Sequence, residues 1–373
     1  MRKVPFFNYP EIYERFKNEF DKIFSDVCSR GAFILQKDLH EFESELADFL
    51  KVKYVLGVAD GTNALYLGLK ALGIGPSDEV IISPHTYVAT ANAIQMAGAK
   101  IVFADIDNNF LLCPKSAASK ITKKTKVIMP TQLNGRCANM PSLLRLAEEN
   151  NILLAEDSAQ GLGAKYGDEF AGTFGSFGTL SFYPAKLIGC FGDGGAIMTN
   201  DSVLAEKVRA MRDHGRDELG KVTLWGTNSR LDNLQAAFLR LRLKHFNEDI
   251  DRRREIARRY YLGLSKLSEV RLPPSPDNSD PHFDVFQNYE CTFDRRDQLR
   301  LYLHDKGIGT LIQWGGMPVH HFDDLGFGKE KFSDLSATDN FFEQCLMLPM
   351  NMSLSNDDID YVINSIIKFY SKV

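Results

Sequence analysis

The sequence predicts an α/β protein with a mainly parallel sheet between layers of helices and a smaller α+β domain at its C-terminus. Between residues 54 and 157, short apolar runs of strand length alternate with amphipathic segments of helix length, as in parallel sheets covered on both faces. A proline-rich segment, LPPSPDNSDPH at 272–282, then interrupts the pattern and shorter elements follow. We therefore expect a large domain at 1–263 and a small domain at 264–373.

The individual elements follow from spacing. Apolar residues recur every three or four positions across 16–27 and 39–50, which predicts two helices, the second with Asp38 as its N-cap. Strands are expected at 54–58, 79–83, 100–105, 126–130 and 151–157, with helices at 62–72, 87–97 and 139–150. A long helix should cover 231–263. The small domain should contain a strand at 283–293, a helix at 296–306, a strand at 307–314 and two terminal helices.

Composition excludes several classes of function. The chain has 373 residues and a net charge of −5, so it lacks the basic excess that nucleic acids and anionic membranes attract. Its six cysteines form no C-x-x-C pair, which favours ordinary buried thiols over a zinc site or a disulfide framework. No secretory signal and no run of membrane-spanning length is found. We expect a cytoplasmic protein that binds neither nucleic acid nor membrane.

The first candidate site segment is VADGTNALYLGL at 58–69, where a strand runs into a helix. Thr62 and Asn63 lie at the start of that helix, where free backbone N–H groups and a hydroxyl can hold a phosphate. The alternative is that Asp60 or Thr62 only caps the helix.

The second segment is ILLAEDSAQGLGAKYG at 152–167. Four apolar residues lead directly to Glu156 and Asp157, so at least one carboxylate should reach the end of the strand with little water around it. A desolvated carboxylate is costly unless it meets a cation or hydrogen-bond donors. The alternative is a helix cap or an internal ion pair.

The third segment is LSFYPAKLIGCFGDGGAIMTND at 180–201, which contains Lys186. The neighbouring Leu187, Ile188 and Phe191 should desolvate its ammonium and lower its pKa, the state in which an amine acts as a nucleophile. Together, a phosphate cup, a buried carboxylate and a desolvated lysine are what pyridoxal 5′-phosphate requires: a phosphate anchor, a partner for the ring nitrogen and an amine for the aldehyde.

At these residues the chain resembles the DegT-type sugar-nucleotide aminotransferases, pyridoxal-phosphate enzymes of fold type I. Similar stretches include ADGTNALYLGLKALGIGPSDEVI, EDSAQGLGA, GTFGSFGTLSFYPAKLIGCFGDGGAIMTND and GTNSRLDNLQAA, and the resemblance covers most of residues 4–370. It implies a fold type I aminotransferase-like architecture, with Lys186 and Asp157 as the catalytic residues. The cofactor contacts that it implies are Lys186 at the aldehyde, Asp157 at the ring nitrogen, Gln160 at the phenolic oxygen, Tyr87 on the ring face, and Thr62, Asn63, Ser181 and the neighbouring subunit's Asn228 at the phosphate. A homodimer with shared active sites is therefore implied.

The expected substrate contacts depart in part from the family. Lys186 argues against the branch that has histidine there and dehydrates sugars. Near the C-terminus the chain reads IQWGGMPVHHF at 312–322, in which His320 matches a family motif and Gln313 and Trp314 do not. A substrate diphosphate needs cationic contacts, and the candidates are Arg230 and the charged loop before the long helix. The expected substrate-binding residues are thus Arg230, His320, Gln313 and Trp314, with Arg212, His214, Arg216 and Lys221 as further candidates; the alternative for that charged loop is simple solvation.

The resemblance implies a reaction in two halves. An amino acid, L-glutamate as for the family, leaves its amino group on the cofactor and departs as 2-oxoglutarate. The amino group then passes to a ketone of a nucleotide-linked hexose, giving an amino sugar for surface polysaccharide such as lipopolysaccharide O-antigen, or for another glycoconjugate. The sequence does not distinguish a 3-keto from a 4-keto sugar.

Two other functions remain open at this point. One is pyridoxal-phosphate chemistry on an amino acid by another fold type I enzyme. The other is a non-catalytic regulator that binds pyridoxal phosphate and needs a DNA-binding module. Ten acidic residues in the first fifty make that region a poor surface for DNA phosphates.

Overall fold

The computed structural model describes residues 2–278 and 281–371. The helices are α1 (Tyr9–Arg15), α2 (Lys17–Arg30), α3 (Lys37–Leu50), α4 (Gly61–Ala71), α5 (Val88–Ala97), α6 (Pro114–Ser119), α7 (Met140–Asn150), α8 (Ser202–Met211), α9 (Asn233–Lys244), α10 (Phe246–Leu264), α11 (Arg296–Asp305), α12 (Ser336–Gln344) and α13 (Asn356–Tyr370). The strands are β1 (Tyr54–Val58), β2 (Glu79–Ile82), β3 (Lys100–Phe103), β4 (Thr125–Ile128), β5 (Leu153–Asp157), β6 (Lys165–Tyr166), β7 (Glu169–Phe170), β8 (Phe177–Ser181), β9 (Gly195–Thr199), β10 (Val270–Arg271), β11 (His282–Phe283), β12 (Tyr289–Phe293) and β13 (Cys345–Leu348).

The central sheet has seven strands in the order β1-β9-β8-β5-β4-β2-β3. Strand β9 runs antiparallel to both of its neighbours, and the other strands share one direction, which confirms the predicted mainly parallel sheet. Because β9 returns against β8, the connection 182–194 between them lies at the carboxyl edge of the sheet. Ligands of open α/β sheets bind at that edge.

Helices cover both faces of the sheet, as the alternating burial of its strands requires. On β2, Ile81 packs in a core with α3, α7 and α9, whereas Val80 and Ile82 pack on the opposite face with α4, α5 and α8. Successive residues of a strand point to opposite faces, so a strand buried on both sides is apolar throughout. The predicted α/β class is therefore confirmed.

A second, three-stranded antiparallel sheet, β10-β12-β13, forms a separate core with α10, α11 and α13. Ile256 and Tyr260 of α10 already belong to this core, and Val4 from the N-terminal segment joins it. The division at residues 263 and 264 falls at the end of α10 and stays a prediction.

Several element predictions were wrong in detail. Helix α3 begins at Lys37 with Gln36 as its N-cap, and Asp38 instead accepts hydrogen bonds from Arg30 and Asn233. The segment 231–263, predicted as one long helix, is two helices, α9 and α10, separated by the non-helical His245. The first of them begins at Asn233 and not at residue 231.

The segment 307–314 is not a strand. It makes single bridges with the N-terminal segment and with β13, and it ends in a 3₁₀ turn at Gln313–Gly316, where Trp314 has a φ of 48°. The strand that pairs with β12 in the small sheet is β13, which the sequence did not predict. Within the described residues, no helix combines the length and the apolar character needed to cross a membrane.

Candidate active site

Lys186 lies on the connection between β8 and β9, at the carboxyl edge of the sheet. Its backbone N–H donates to the carbonyl of Tyr183 (2.8 Å), which closes a turn after Pro184. Leu187 and Ile188 are buried, and the lysine side chain is half-buried. Desolvation lowers the pKa of Lys186 to about 8, and the nearby charge of Asp157 opposes that shift. The amine therefore combines a lowered pKa with a carboxylate neighbour.

Asp157 is the last residue of β5 and is almost fully buried. One carboxylate oxygen accepts from the hydroxyl of Thr90 (2.6 Å), and the other accepts from the N–H of Ala159 (3.1 Å). Burial raises the pKa of Asp157, whereas these two donors and the charge of Lys186 oppose the rise. A cationic N–H group placed against this carboxylate would hold it in its charged form.

A chain of three buried threonine hydroxyls leads to Asp157. Thr131 donates to Thr86 (2.9 Å), the hydroxyls of Thr86 and Thr90 lie 2.6 Å apart, and Thr90 donates to the carboxylate. Since Thr90 uses its single proton on Asp157, it accepts from Thr86. The chain fixes the rotamer of Asp157, and no signal in the sequence pointed to it, because its members come from three segments of the chain.

The adjacent Glu156 points to the other face of the sheet and is saturated with donors. Its two oxygens accept from Gln132 and from the backbone N–H groups of Gly172, Phe174 and Gly175, at 2.7–3.1 Å. This carboxylate braces the loop before β8. Of the two acidic residues, only Asp157 faces the carboxyl edge of the sheet.

The start of α4 lies beside the end of β8. A Cβ added to Gly61 would lie 2.9 Å from the Cβ of Ser181, so the two segments touch. Asp60 caps the helix, and Asn63 gives it both its backbone N–H (2.8 Å) and its side-chain NH₂ (2.6 Å). The capping alternative is therefore right for Asp60, and the phosphate contact of Asn63 stays a prediction. Within the described residues, the N–H groups of Gly61 and Thr62 have no acceptor.

The remaining predicted cofactor residues border the same edge. Tyr87 directly precedes α5, is 56% exposed, and has its ring centroid 6.3 Å from that of Trp314. The side-chain oxygen of Gln160 accepts from the backbone N–H of Asn134 (2.9 Å). Lys186, Asp157, Gln160, Tyr87, Thr62 and Ser181 are thus all brought to one edge, here called the cofactor edge (residues 60–63, 86–90, 157–160 and 181–187).

A second set of polar groups, which sequence reasoning missed, faces this edge from the other side. Gln287 donates to the carbonyl of Ala185 (2.8 Å), next to Lys186, and the buried Glu290 accepts from Asn134 (2.6 Å). We call residues 284–290 with the turn 312–316 the interdomain wall. The available signal was the presence of polar residues within the apolar strand candidate FDVFQNYECTF.

Two of the predicted substrate contacts need correction. Gln313 is buried and, with its amide nitrogen toward β12, donates to both oxygens of Glu290 (2.8 and 2.9 Å). His320 is fully buried and lies 3.0 Å from Asp339 through its Nε2 atom. Both side chains anchor the C-terminal segment, so neither is available to a substrate. Trp314 is half-buried beside Tyr87 and keeps an open face.

The predicted cations are also partly used within the chain. Arg212 is buried against Glu43 and the carbonyl of Gly57, which removes it as a diphosphate ligand. Arg230 pairs with Asp213 (2.7 Å) and stays partly exposed. His214, Arg216 and Lys221 lie on the loop between α8 and α9. Arg216 is exposed and lies 3.9 Å from Asp213, and Lys221 is exposed.

Asn228 is exposed on the same loop. It bridges to Asp213 through the backbone and lies five residues before α9, whose N-cap is Asp232. Asn228 therefore does not cap that helix. Its predicted role in a neighbouring subunit stays a prediction.

The donor set at the cofactor edge fits pyridoxal 5′-phosphate. An amine of lowered pKa suits the aldehyde, a buried carboxylate with only two donors suits a protonated ring nitrogen, and the hydroxyl of Ser181 with two free N–H groups of α4 suits the phosphate. The lack of a side chain at Gly61 leaves room beside Ser181.

This fold and this site define an α/β enzyme of the aminotransferase class. The chain belongs to the DegT/DnrJ/EryC1/StrS aminotransferase family, whose model matches residues 14–367. The resemblance stated from the sequence is thus confirmed.

Individual relatives cover nearly the whole chain. A dTDP-3-amino-3,4,6-trideoxy-alpha-D-glucose transaminase of Streptomyces venezuelae is 36% identical over 100% of this chain and 97% of its own length. A UDP-2-acetamido-2-deoxy-3-oxo-D-glucuronate aminotransferase of Pseudomonas aeruginosa is 35% identical over 96% and 98%. A pleiotropic regulatory protein of Geobacillus stearothermophilus is also 35% identical, over 98% of both chains.

Solved structures confirm the fold. The S. venezuelae DesV structure in complex with a ketimine intermediate has a TM-score of 0.95 at 35% identity, over 100% of both chains. The Bacillus subtilis NtdA structure with bound cofactor PMP has a TM-score of 0.90 at 28% identity, covering 99% of this chain and 85% of that one.

Proposed function

We propose that this enzyme is a pyridoxal-phosphate-dependent aminotransferase that transfers an amino group from L-glutamate to a keto group of a nucleotide-linked hexose. The observation that carries the proposal is the half-buried Lys186, whose pKa of about 8 suits a nucleophilic amine, placed beside the buried Asp157. The relatives in S. venezuelae and P. aeruginosa, whose names specify amination at position 3 or a 3-oxo sugar, favour a 3-keto substrate over a 4-keto one.

When bound, pyridoxal phosphate supplies an aldehyde that takes up the amino group and a ring that accepts an electron pair. Lys186 would hold the aldehyde and, as a free amine, would move the proton at the substrate Cα. Asp157, whose carboxylate Thr90 fixes, would hold the proton on the ring nitrogen. Gln160 would donate to the phenolic oxygen.

The sugar nucleotide would lie between the cofactor edge and the interdomain wall. Trp314 forms an aromatic side of this space beside Tyr87, with the two ring centroids 6.3 Å apart. Arg230, Arg216 and Lys221 are the partly or fully exposed cations of the 212–230 loop region and suit a diphosphate. The proposed product is an amino sugar for surface polysaccharide or another glycoconjugate; the cytoplasmic location stays a prediction.

The test is a substrate panel. The enzyme is incubated with L-glutamate and a set of 3-keto and 4-keto nucleotide sugars, and the position of the new nitrogen is located by NMR. We expect nitrogen at C-3. Nitrogen at C-4 would overturn the assignment of position, and no amino sugar from any member of the panel would contradict the proposed class of substrate.

We also propose a homodimer whose active sites share residues, with Asn228 of each subunit at the phosphate of the other. Its support is the exposure of Asn228, together with the neighbouring Trp225, which is 97% exposed. Protein with Lys186→Ala is mixed with protein carrying Asn228→Asp under conditions of proven subunit exchange. A mixed dimer has both lesions in one site and none in the other, so activity should rise above that of either parent. No rise, with a measurable Asn228→Asp defect, would place Asn228 in its own subunit's site.

A regulatory role is the second candidate, because the G. stearothermophilus relative carries a regulatory name. Such a protein would bind the cofactor and exchange no amino groups. Formation of 2-oxoglutarate from glutamate by the loaded protein separates the two functions.

A further inference from the structure

Glu290 is a buried carboxylate of β12 that receives hydrogen bonds from two different elements. The side-chain NH₂ of Asn134 donates to its Oε2 atom (2.6 Å), and the amide nitrogen of Gln313 donates to both oxygens (2.8 and 2.9 Å). His85 approaches the same oxygen with its Nε2 atom at 3.6 Å, too far for a hydrogen bond. Glu290 therefore joins two turns: the turn of Asn134, whose backbone N–H contacts Gln160, and the turn that carries Trp314.

Asn134 is held on several sides. It adopts a left-handed conformation (φ 56°), which Asn tolerates better than most residues, and its side-chain oxygen accepts from Asn288 (2.9 Å). With its NH₂ on Glu290, both ends of the amide are fixed by small-domain residues. Its backbone N–H is thereby aimed at the side-chain oxygen of Gln160 (2.9 Å).

The amide of Gln160 is consequently oriented. Its oxygen faces two donors, the N–H of Asn134 at 2.9 Å and the NH₂ of Asn288 at 3.4 Å. A flipped amide would turn its own NH₂ toward those donors and leave them without an acceptor, which is unfavourable for groups held away from water. The NH₂ of Gln160 must then point away from Asn134 and Asn288, and in that position it offers a donor and not an acceptor.

The charge of Glu290 is what makes this arrangement consistent. A carboxylate accepts at both oxygens, so Asn134 and Gln313 can both donate to it. A glutamine at position 290 has only one oxygen and one NH₂. Asn134 and Gln313 could then not both donate to it, because one of them would face the new NH₂. A buried anion is retained only where such donors surround it.

We propose that Glu290 is a positioning residue that acts through Asn134 to set the amide of Gln160 as a donor toward the phenolic oxygen of the cofactor. The same carboxylate seats the turn of Trp314 through Gln313, so the small domain controls both the cofactor contact and the substrate contact. The inference rests on the proposed function for the identity of the cofactor.

The test uses the cofactor-loaded protein without substrate. The readout is the pH midpoint of its visible absorption band, which reports the pKa of the nitrogen that joins Lys186 to the cofactor. A donor on the phenolic oxygen stabilises negative charge there and so favours loss of the proton from that nitrogen. Loss of the donor should raise the midpoint, by about one pH unit.

Glu290→Gln is the main variant, since it keeps the shape of the side chain. Asn134→Gly is the second, because glycine keeps the backbone N–H and the left-handed conformation while removing the side chain that Glu290 holds. Both should raise the midpoint. Gln313→Ala is the matched control: it removes the other amide from the same carboxylate, and should raise the KM for the keto sugar with the midpoint unchanged.

A double variant decides whether Glu290 acts through Gln160. Gln160→Ala alone should raise the midpoint, and adding Glu290→Gln should raise it no further. An equal shift in both backgrounds, or no shift in either Glu290→Gln or Asn134→Gly, would overturn the inference while leaving the proposed function intact. A wild-type protein that forms no visible band with pyridoxal phosphate would overturn both.

Discussion

The cofactor edge and the interdomain wall enclose the same space and are built in different ways. Each group of the cofactor edge lies at or beyond the end of a strand of the central sheet, and the sheet fixes the backbone, as for Asp157 on β5 and Ser181 on β8. The wall depends on contacts between segments far apart in the sequence, such as Glu290 with Asn134 and Gln313. We infer a division of labour from this difference: the edge supplies the groups for the chemistry common to both half-reactions, and the wall positions them through Glu290 and orients the sugar through Trp314.

The largest effect is expected from Lys186→Ala. Both half-reactions should slow by at least about 10³-fold, because the variant lacks the amine that holds the aldehyde and carries the proton. Cofactor should still bind through the remaining contacts. Single-turnover rates are measured separately with glutamate and with the keto sugar. A loss confined to one half-reaction would break the proposed division.

Asp157→Asn should come next. It keeps an acceptor for Thr90 and removes the negative charge at the ring nitrogen, and a hydrogen bond to a charged group contributes about 1.5–3 kcal/mol, or roughly 10- to 10²-fold in rate. Turnover should fall much more than cofactor occupancy, and equally in both half-reactions. Unchanged single-turnover rates would make Asp157 a structural residue.

The pH dependence of cofactor capture tests the environment of Lys186. Its pKa is lowered to about 8, and only the neutral amine attacks the aldehyde. The rate at which cofactor-free protein captures pyridoxal phosphate should rise about tenfold per pH unit below pH 8 and level off above it. Stopped-flow absorbance follows the reaction. A rate that continues to rise to about pH 10 would indicate an ordinary exposed lysine.

The smallest effect is expected from Trp314→Ala on the interdomain wall. Loss of one aromatic contact, worth about 0.5–1.5 kcal/mol, should raise the KM for the keto sugar about 3- to 10-fold. The glutamate half-reaction serves as the internal control and should keep its rate. An equal defect in that half-reaction would show that Trp314 does not act on the sugar alone.

The same contrast explains how much the sequence could predict. Asp157 and Lys186 were identifiable because an apolar strand or apolar neighbours directly beside a charged residue predict its desolvation. The choice between Glu156 and Asp157 could not be made from the desolvation pattern, because it depends on which face of β5 meets the loop 172–175. Strands β1 to β5 of the central sheet were predicted because burial on both faces makes such strands apolar, whereas β8 and β9 were not listed among the expected strands.

The predictions for Gln313 and His320 were wrong for a physical reason. Both are polar side chains in a segment rich in glycine and histidine, and their partners, Glu290 and Asp339, lie 23 and 19 residues away. Arg212 was misjudged in the same way, because its partner Glu43 lies on a distant helix. A single sequence carries no local mark of such pairs.

The most direct test of the central claim is to locate the lysine that holds the cofactor. The protein is loaded with pyridoxal phosphate, treated with borohydride to fix the link, digested and analysed by mass spectrometry. The account predicts a reduced adduct on the peptide containing Lys186, with none in the Lys186→Ala variant. An adduct on another lysine, with Lys186 unmodified, would contradict the assignment of the site.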